Sequence, residues 1–151
     1  MTHTIAHARQ RGFSLIEILV VLVIIGLLVS IVAPNVMDRA DSARIQKVEA
    51  DFNSIQTALK LYRLDNYMYP NSQQGLEALV SRPTSEPVPR NWRRGGYLDS
   101  LPRDPWGNPY GYESPAGDRE YDIYTLGADG TPGGDGQNAD ISVWDDLEQF
   151  E

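Results

Sequence analysis

Residues Ile18 to Met37, ILVVLVIIGLLVSIVAPNVM, form a run of twenty without a single charge. As an α-helix rising about 1.5 Å per residue, such a run matches a hydrocarbon core about 30 Å thick, so a membrane span is expected here. A secretory signal peptide is the alternative, but its apolar region is shorter, about 7 to 15 residues, and ends in small residues before the cut. The best candidate cut follows Ala33, where Ile31 holds a position that should be small and Pro34 comes next. Arg9 and Arg11 precede the run while Asp38 and Asp41 flank its far end beside Arg39. That asymmetry puts the N-terminus in the cytoplasm and the rest of the chain across the membrane. Pro34 has no amide hydrogen for the Ser30 carbonyl, so the helix is expected to break or bend between Gly26 and Pro34.

The remaining charge is uneven. Residues 118 to 151 carry ten acids and one base, Arg119, in a chain of formal net charge −8. A phosphate backbone would be repelled by that stretch, and the group Arg90, Arg93, Arg94 is too small for a nucleic-acid footprint. The chain has no cysteine, which removes disulfides, thiol nucleophiles and Cys-ligated metal centres. Its two histidines, His3 and His7, both lie in the first twelve residues, so a histidine-based relay would have to sit in what reads as a leader. Enzyme chemistry starts with few candidates. Paired carboxylates remain, Asp145 with Asp146 or Asp99 with Asp104, and would make a membrane-tethered hydrolase the remote alternative. Adjacent aspartates on a polar tail have no apolar pocket to raise one of their pKa values.

Glu17 stands at the edge of the apolar run, where a carboxylate at membrane depth costs up to about 2.5 to 3.5 kcal/mol and normally has a partner. No Lys or Arg lies one helical turn away on either side. A cut between Gly12 and Phe13 would create an ammonium group four residues before Glu17, the spacing of helical neighbours. The same pair could form between two staggered chains, and the plainer alternative is that Glu17 reaches the lipid headgroups. The segment Gly12 to Glu17, GFSLIE, followed at once by the span, resembles the class III signal of type IV pilins and type II secretion pseudopilins. The resemblance implies that a membrane prepilin peptidase cleaves after Gly12 and N-methylates Phe13. It also implies that Glu17 pairs with a neighbouring subunit's terminal amine during assembly. The chain then divides into a leader over 1–12, a transmembrane and assembly helix over 13–37, and a periplasmic domain over 38–151.

Past the span, Ile45, Val48, Phe52, Ile55, Leu59 and Tyr62 recur at spacings of three and four, with charged residues between them. This stripe predicts an amphipathic helix packed on a sheet, ending near Asn66 and Pro70. Ser72 is expected to cap a second helix over 73–80, and Pro83, Pro87, Pro89 and Pro102 to impose a loop pinned by Trp92, Tyr97 and Leu98. Strands are expected at 110–113 and 120–126 around a turn at 114–117, with a third at 141–144. Residues 104–109 read as turns leading into them. Long helix plus small antiparallel sheet is an α+β layout without repeats.

Residues 126–140, LGADGTPGGDGQNAD, hold five glycines, three aspartates and almost nothing to bury. Alone, such a loop tends to disorder. Ca²⁺ takes six to eight hard oxygen ligands, and glycines let backbone carbonyls turn inward, so a calcium loop and a solvated acidic loop both fit the composition. It is not an EF-hand, because Thr131 and Gly133 take positions three and five and the last position lacks Glu. The blocks PNSQQGLEALV, GGYLDSLPRDPWGNPYGY, YTLGADG and ADISVW extend the resemblance from Gly12 to about Trp144, to the major pseudopilin family of type II secretion. That resemblance implies one structural Ca²⁺, with carbonyls from Leu126 and Thr131 and carboxylates from Asp129 and Asp140. Asp135 falls where loop length varies between members, and Asn138 could take its place. Asp145 and Asp146 lie past the motif and read as a solvated tail.

The implied function is a non-enzymatic subunit of a homopolymer, the pseudopilus, which helps drive folded exoproteins across the outer membrane. Implied partners are minor pseudopilins, the inner-membrane assembly platform and the prepilin peptidase. ATP hydrolysis would belong to a cytoplasmic partner, since this chain has no phosphate loop. A type IV pilin is the neighbouring alternative, though many of those close a C-terminal loop with a cysteine pair. A minor pseudopilin would share the leader, but the glycine-rich block resembles the major subunit.

Overall fold

The computed structural model describes residues 13–150, and over 31–38 the backbone alone. Helix α1 (Leu15–Asn66) continues through Pro34, so of the expected break or bend the break is absent. The proline removes one backbone bond from a helix of 52 residues, a local loss that the flanking turns tolerate. The chain falls into two compact units that divide between Arg39 and Ala40.

In the second unit all six residues of the apolar stripe, Ile45, Val48, Phe52, Ile55, Leu59 and Tyr62, are buried. They form one core with Leu76, Leu79, Tyr110, Tyr121, Ile123 and Ile141. Phe52 meets Tyr110 with ring centroids 5.5 Å apart, and Tyr62 meets Tyr97 at 5.2 Å. Burying a side chain of this size contributes about 1.5 to 3 kcal/mol, so the stripe is what fastens the helix to the rest of the unit. The helix stops where Tyr67 turns to a positive φ of 64° and its amide donates to the Arg63 carbonyl.

The second helix is shorter than expected. A 3₁₀ turn occupies Leu76–Leu79 without a side-chain cap, and the turn before it is closed by Asn71, whose Oδ1 accepts the Gln74 amide at 2.8 Å. Ser72 is occupied elsewhere, exchanging bonds with the backbone of Ser114 through its hydroxyl. The loop that follows is pinned as expected. Trp92 Nε1 donates to the Ala78 carbonyl at 2.9 Å, and the amides of Tyr97 and Leu98 both donate to Leu79.

The sheet is antiparallel in the order β1 (Gly111–Glu113), β2 (Asp122–Thr125), β3 (Ile141–Ser142). Each strand is shorter than the sequence pattern suggested, because alternation continues past the last paired residue. Gly111 pairs with Tyr124, whose ring lies across it: a Cβ at 111 would stand 2.3 Å from that ring. A side chain at 111 would have to displace that ring.

Two tyrosines, Tyr110 buried and Tyr112 half-buried, make the unit sensitive to alkali. Tyr112 donates to the Pro70 carbonyl at 2.8 Å and Tyr110 to Asp51 Oδ2 at 2.7 Å. Burial pushes both phenols well above their ordinary value of 10.0, with Asp51 adding to the shift of Tyr110. A group raised in the folded state contributes stability below its unfolded pKa and loses it as pH rises through the folded value. Thermal melts should therefore be flat up to about pH 10 and fall above it by about 1.4 kcal/mol per pH unit for each titrating phenol. Tyr112→Phe should flatten that slope, and an unchanged slope would assign the loss to other groups.

Candidate functional site

At the N-terminal end Gly12 lies outside the described residues, whereas Phe13 and Glu17 are exposed. Ser14 caps α1: its Oγ accepts the Glu17 amide at 3.2 Å, and its carbonyl accepts the amides of Glu17 and Ile18. Ser14 and Glu17 thus hold the first and fourth places of a capping box, a signal present in the sequence as S-x-x-E. Glu17 also sits in the first turn, where a carboxylate complements the helix dipole. The apolar side chains from Leu15, 88% exposed, to Val29 are exposed among the described residues. Among the described residues no helix is long and apolar enough to cross a membrane. The span expected over 18–37 runs on into 31–38, whose side chains lie outside the described residues.

The glycine-rich loop joins β2 to β3, so its two ends are fixed by neighbouring strands. Its entry is held by Asn108, whose Nδ2 donates to the Gly127 carbonyl at 2.9 Å, and by the Ala128 amide on the Gln137 carbonyl at 2.8 Å. Gly127, at φ 66°, lies so close to the Asn138 backbone that a Cβ would stand 2.7 Å from it. Across the loop, Gln137 Nε2 donates to Asp41 on α1 at 3.1 Å, and Asp41 also pairs with Arg44.

Among the expected ligand residues, the fold brings Leu126 and Asp140 to one cavity of about 390 Å³, together with Pro132, Asp122, Ser142 and Asp145. Asp140 Oδ2 accepts the Gly133 amide at 2.9 Å. Its Oδ1 is buried without a partner. A buried carboxylate oxygen without a donor is costly, and a cation is one group that satisfies it. Asp129, Thr131 and Asp135 are exposed and do not line this cavity. Asp129 Oδ1 instead accepts the Thr131 amide at 3.1 Å, and Asn138 is exposed with its amide on the Asp135 carbonyl. Among the described residues no three acidic or histidine side chains cluster as a metal site.

Four residues have structural roles that the sequence did not reveal. Asp104, 3% exposed, accepts the amides of Trp106 and Asn108 on Oδ1 and the Thr125 hydroxyl on Oδ2. Both oxygens of this candidate hydrolytic carboxylate are thereby committed to holding a turn. Asp145 is exposed yet bonded, its Oδ2 accepting the Ser142 amide at 2.8 Å. Beyond it, a 3₁₀ turn over Leu147–Phe150 lays Leu147 and Phe150 on the core, so the tail is partly docked.

A family model described as type II secretion system (T2SS), protein G, matches residues 35–144, and a prokaryotic N-terminal methylation motif matches residues 7–33. The type II secretion system core protein G of Pseudomonas aeruginosa is 53% identical over 137 residues, covering 91% of this chain and 96% of that protein. The chain belongs to the type II secretion protein G family. The core protein G of Vibrio cholerae is 50% identical over 143 residues, covering 95% of this chain and 97% of its own length. The crystal structure of the major pseudopilin from the type 2 secretion system of enterohaemorrhagic Escherichia coli superposes with a TM-score of 0.66 at 45% identity. It covers 74% of this chain and 95% of that one. The chain is accordingly a major pseudopilin subunit with the α+β fold of that family. The methylation motif falls on the segment where GFSLIE precedes the apolar helix.

Proposed function

We propose that the chain is cleaved between Gly12 and Phe13, methylated on Phe13, and polymerised from the bacterial inner membrane into a periplasmic pseudopilus that helps move folded exoproteins outward. The observation that carries this reading is the apolar surface of α1 from Leu15 to Val29, which is exposed among the described residues and which identical neighbours would bury. Glu17 lies in the first turn and is exposed, so its carboxylate is free to meet the terminal amine of a neighbouring subunit. Its pairing sets the register of each incoming subunit, while the apolar helix supplies the packing energy. The work is mechanical, and no residue is assigned to catalysis. Minor pseudopilins, the inner-membrane assembly platform and the prepilin peptidase are its partners.

The loop over 126–140 is proposed to hold one Ca²⁺. The unsatisfied Asp140 Oδ1 beside Leu126 fits a cation. Leu126 and Thr131 would offer carbonyls and Asp129 and Asp140 carboxylates, with Asp135 or Asn138 completing the set. Calcium there supplies charge compensation and a rigid tie across a loop with little else to bury.

The polymer reading is tested with full-length chain in a secreting host, by comparing sheared fibres from the wild type and Glu17→Ala. Removing one partner of a desolvated ion pair costs about 3 to 5 kcal/mol, so fibre yield should fall at least about tenfold while the chain still accumulates in the membrane. Undiminished fibres would remove Glu17 from assembly.

A further inference from the structure

The second unit carries two unlike surfaces at different heights along α1. One is a groove of about 470 Å³ between α1 and the C-terminal segment, with Phe52 and Leu147 on its floor and Glu49, Asp145, Asp146 and Glu148 around it. None of these four carboxylates pairs with a cation among the described residues. The other surface is the end of α1, where Leu64 (71% exposed), Tyr67 (86%) and Met68 stand beside Lys60 and Arg63. Arg63 is shared with Glu120, whereas Lys60 has no carboxylate partner among the described residues. Large apolar side chains exposed together next to a cation mark a contact surface. A chain of net charge −8 repels its own copies unless a basic surface on one meets an acidic surface on the next.

We propose that the segment from Lys60 to Met68, at the C-terminal end of α1, on one subunit seats in the acidic groove of a second copy, Leu64 and Tyr67 reaching Val143 and Leu147 on its wall while Lys60 meets Glu148 and Asp146. The two surfaces are different, so the contact is heterologous, and repeated addition builds an open fibre where a self-complementary patch would stop at a dimer. Phe52 and Leu64 lie twelve residues apart on the same helix, which staggers the copies by roughly 18 Å at about 1.5 Å per residue. The basic loop at Arg90 and Arg94 is the competing occupant, but it offers charge without an apolar face. This contact rests on the polymer reading above and adds a second fastening to it, outside the N-terminal helix.

The chain has no native cysteine, so a pair can be placed cleanly. Full-length chain carrying Leu64→Cys and Glu148→Cys, both at exposed positions, is assembled in a secreting host and treated with a short bis-maleimide. A ladder of dimers, trimers and higher species is expected, absent from either single-cysteine chain and lost with Glu17→Ala. Separately, Lys60→Glu or Glu148→Lys alone should cut fibre yield at least about tenfold through like-charge contact, and the two together should restore most of it. Fibres that form without a ladder overturn this contact and leave the polymer reading standing. Failure to form fibres at all removes both. A ladder that survives Glu17→Ala reports collision in the membrane and overturns the contact. A ladder from Arg94→Cys with Glu148→Cys, in place of Leu64→Cys, gives the groove to the basic loop and overturns it too.

Discussion

Asp104→Ala is expected to destabilise the periplasmic domain by about 3 to 5 kcal/mol, which a two-state urea or thermal titration of a fragment beginning at Asp38 measures directly. The size follows from what the side chain holds. The Thr125 hydroxyl, in a residue with no exposure, donates to Asp104 Oδ2 at 2.6 Å, and the amides of Trp106 and Asn108 converge on Oδ1 at 3.0 and 2.7 Å. Alanine leaves all three donors stranded, and a buried donor left without an acceptor costs about 1 to 3 kcal/mol. Against a total stability of about 5 to 15 kcal/mol, that loss is a large share. Asp104→Asn retains a carbonyl acceptor and should lose roughly half as much. The effect should also reach the loop. Asn108, oriented by Asp104, donates to the Gly127 carbonyl at the loop entrance, so the alanine variant should bind metal more weakly as well as melt earlier. A change below about 1 kcal/mol would mean that water replaces the carboxylate and that the turn is held by other bonds.

Asp104 marks where the sequence stops being readable. The stripe from Ile45 to Tyr62 was legible because helical periodicity is a local property, and every stripe position is buried. The hairpin of β1 and β2 was legible for the same reason, since alternation and turn residues sit next to one another in the chain, while the place of β3 beside β2 comes from the fold. The role of Asp104 was not, because its partner Thr125 lies 21 positions away and nothing local distinguishes a turn aspartate from a solvated one. Ser72 shows the same limit. It reads as a helix cap by its neighbours, yet its hydroxyl bonds Ser114, 42 positions on, and the 3₁₀ turn that follows has no side-chain cap. At the N-terminus, GFSLIE carried the family signal in the sequence alone, and the cap made by the Ser14 hydroxyl adds a local reason for that residue type. In the loop, composition offered oxygen donors without an address. The fold puts Leu126 and Asp140 on one cavity and leaves Asp129, Thr131 and Asp135 outside its lining.

That division makes calcium the sharpest test of the loop. Chelation of the Asp38 fragment with EDTA, followed by calcium, should raise the melting temperature by roughly 10 to 20 °C. Saturation at about a hundred times Kd contributes about 2.7 kcal/mol, and each kcal/mol shifts a domain of this size by about 4 to 8 °C. Magnesium at the same concentration should do little, because it keeps its waters and demands a stricter octahedron than a glycine-rich loop provides. Asp140→Ala should abolish the calcium response. In the metal-free state it should cost little, since it removes a carboxylate oxygen that is buried without a partner and forfeits only the bond from the Gly133 amide at 2.9 Å. Asp129→Ala separates two arrangements. If Asp129 turns from the Thr131 amide to bind metal, its loss should cut calcium affinity about as much as that of Asp140. If it remains in that local turn, affinity should be unchanged and the ligands must come from the cavity that Leu126, Asp122 and Asp145 share with Asp140. A melt indifferent to calcium, in protein shown by elemental analysis to be metal-free, would leave the loop as a solvated acidic strap tied to α1 through Gln137 and Asp41.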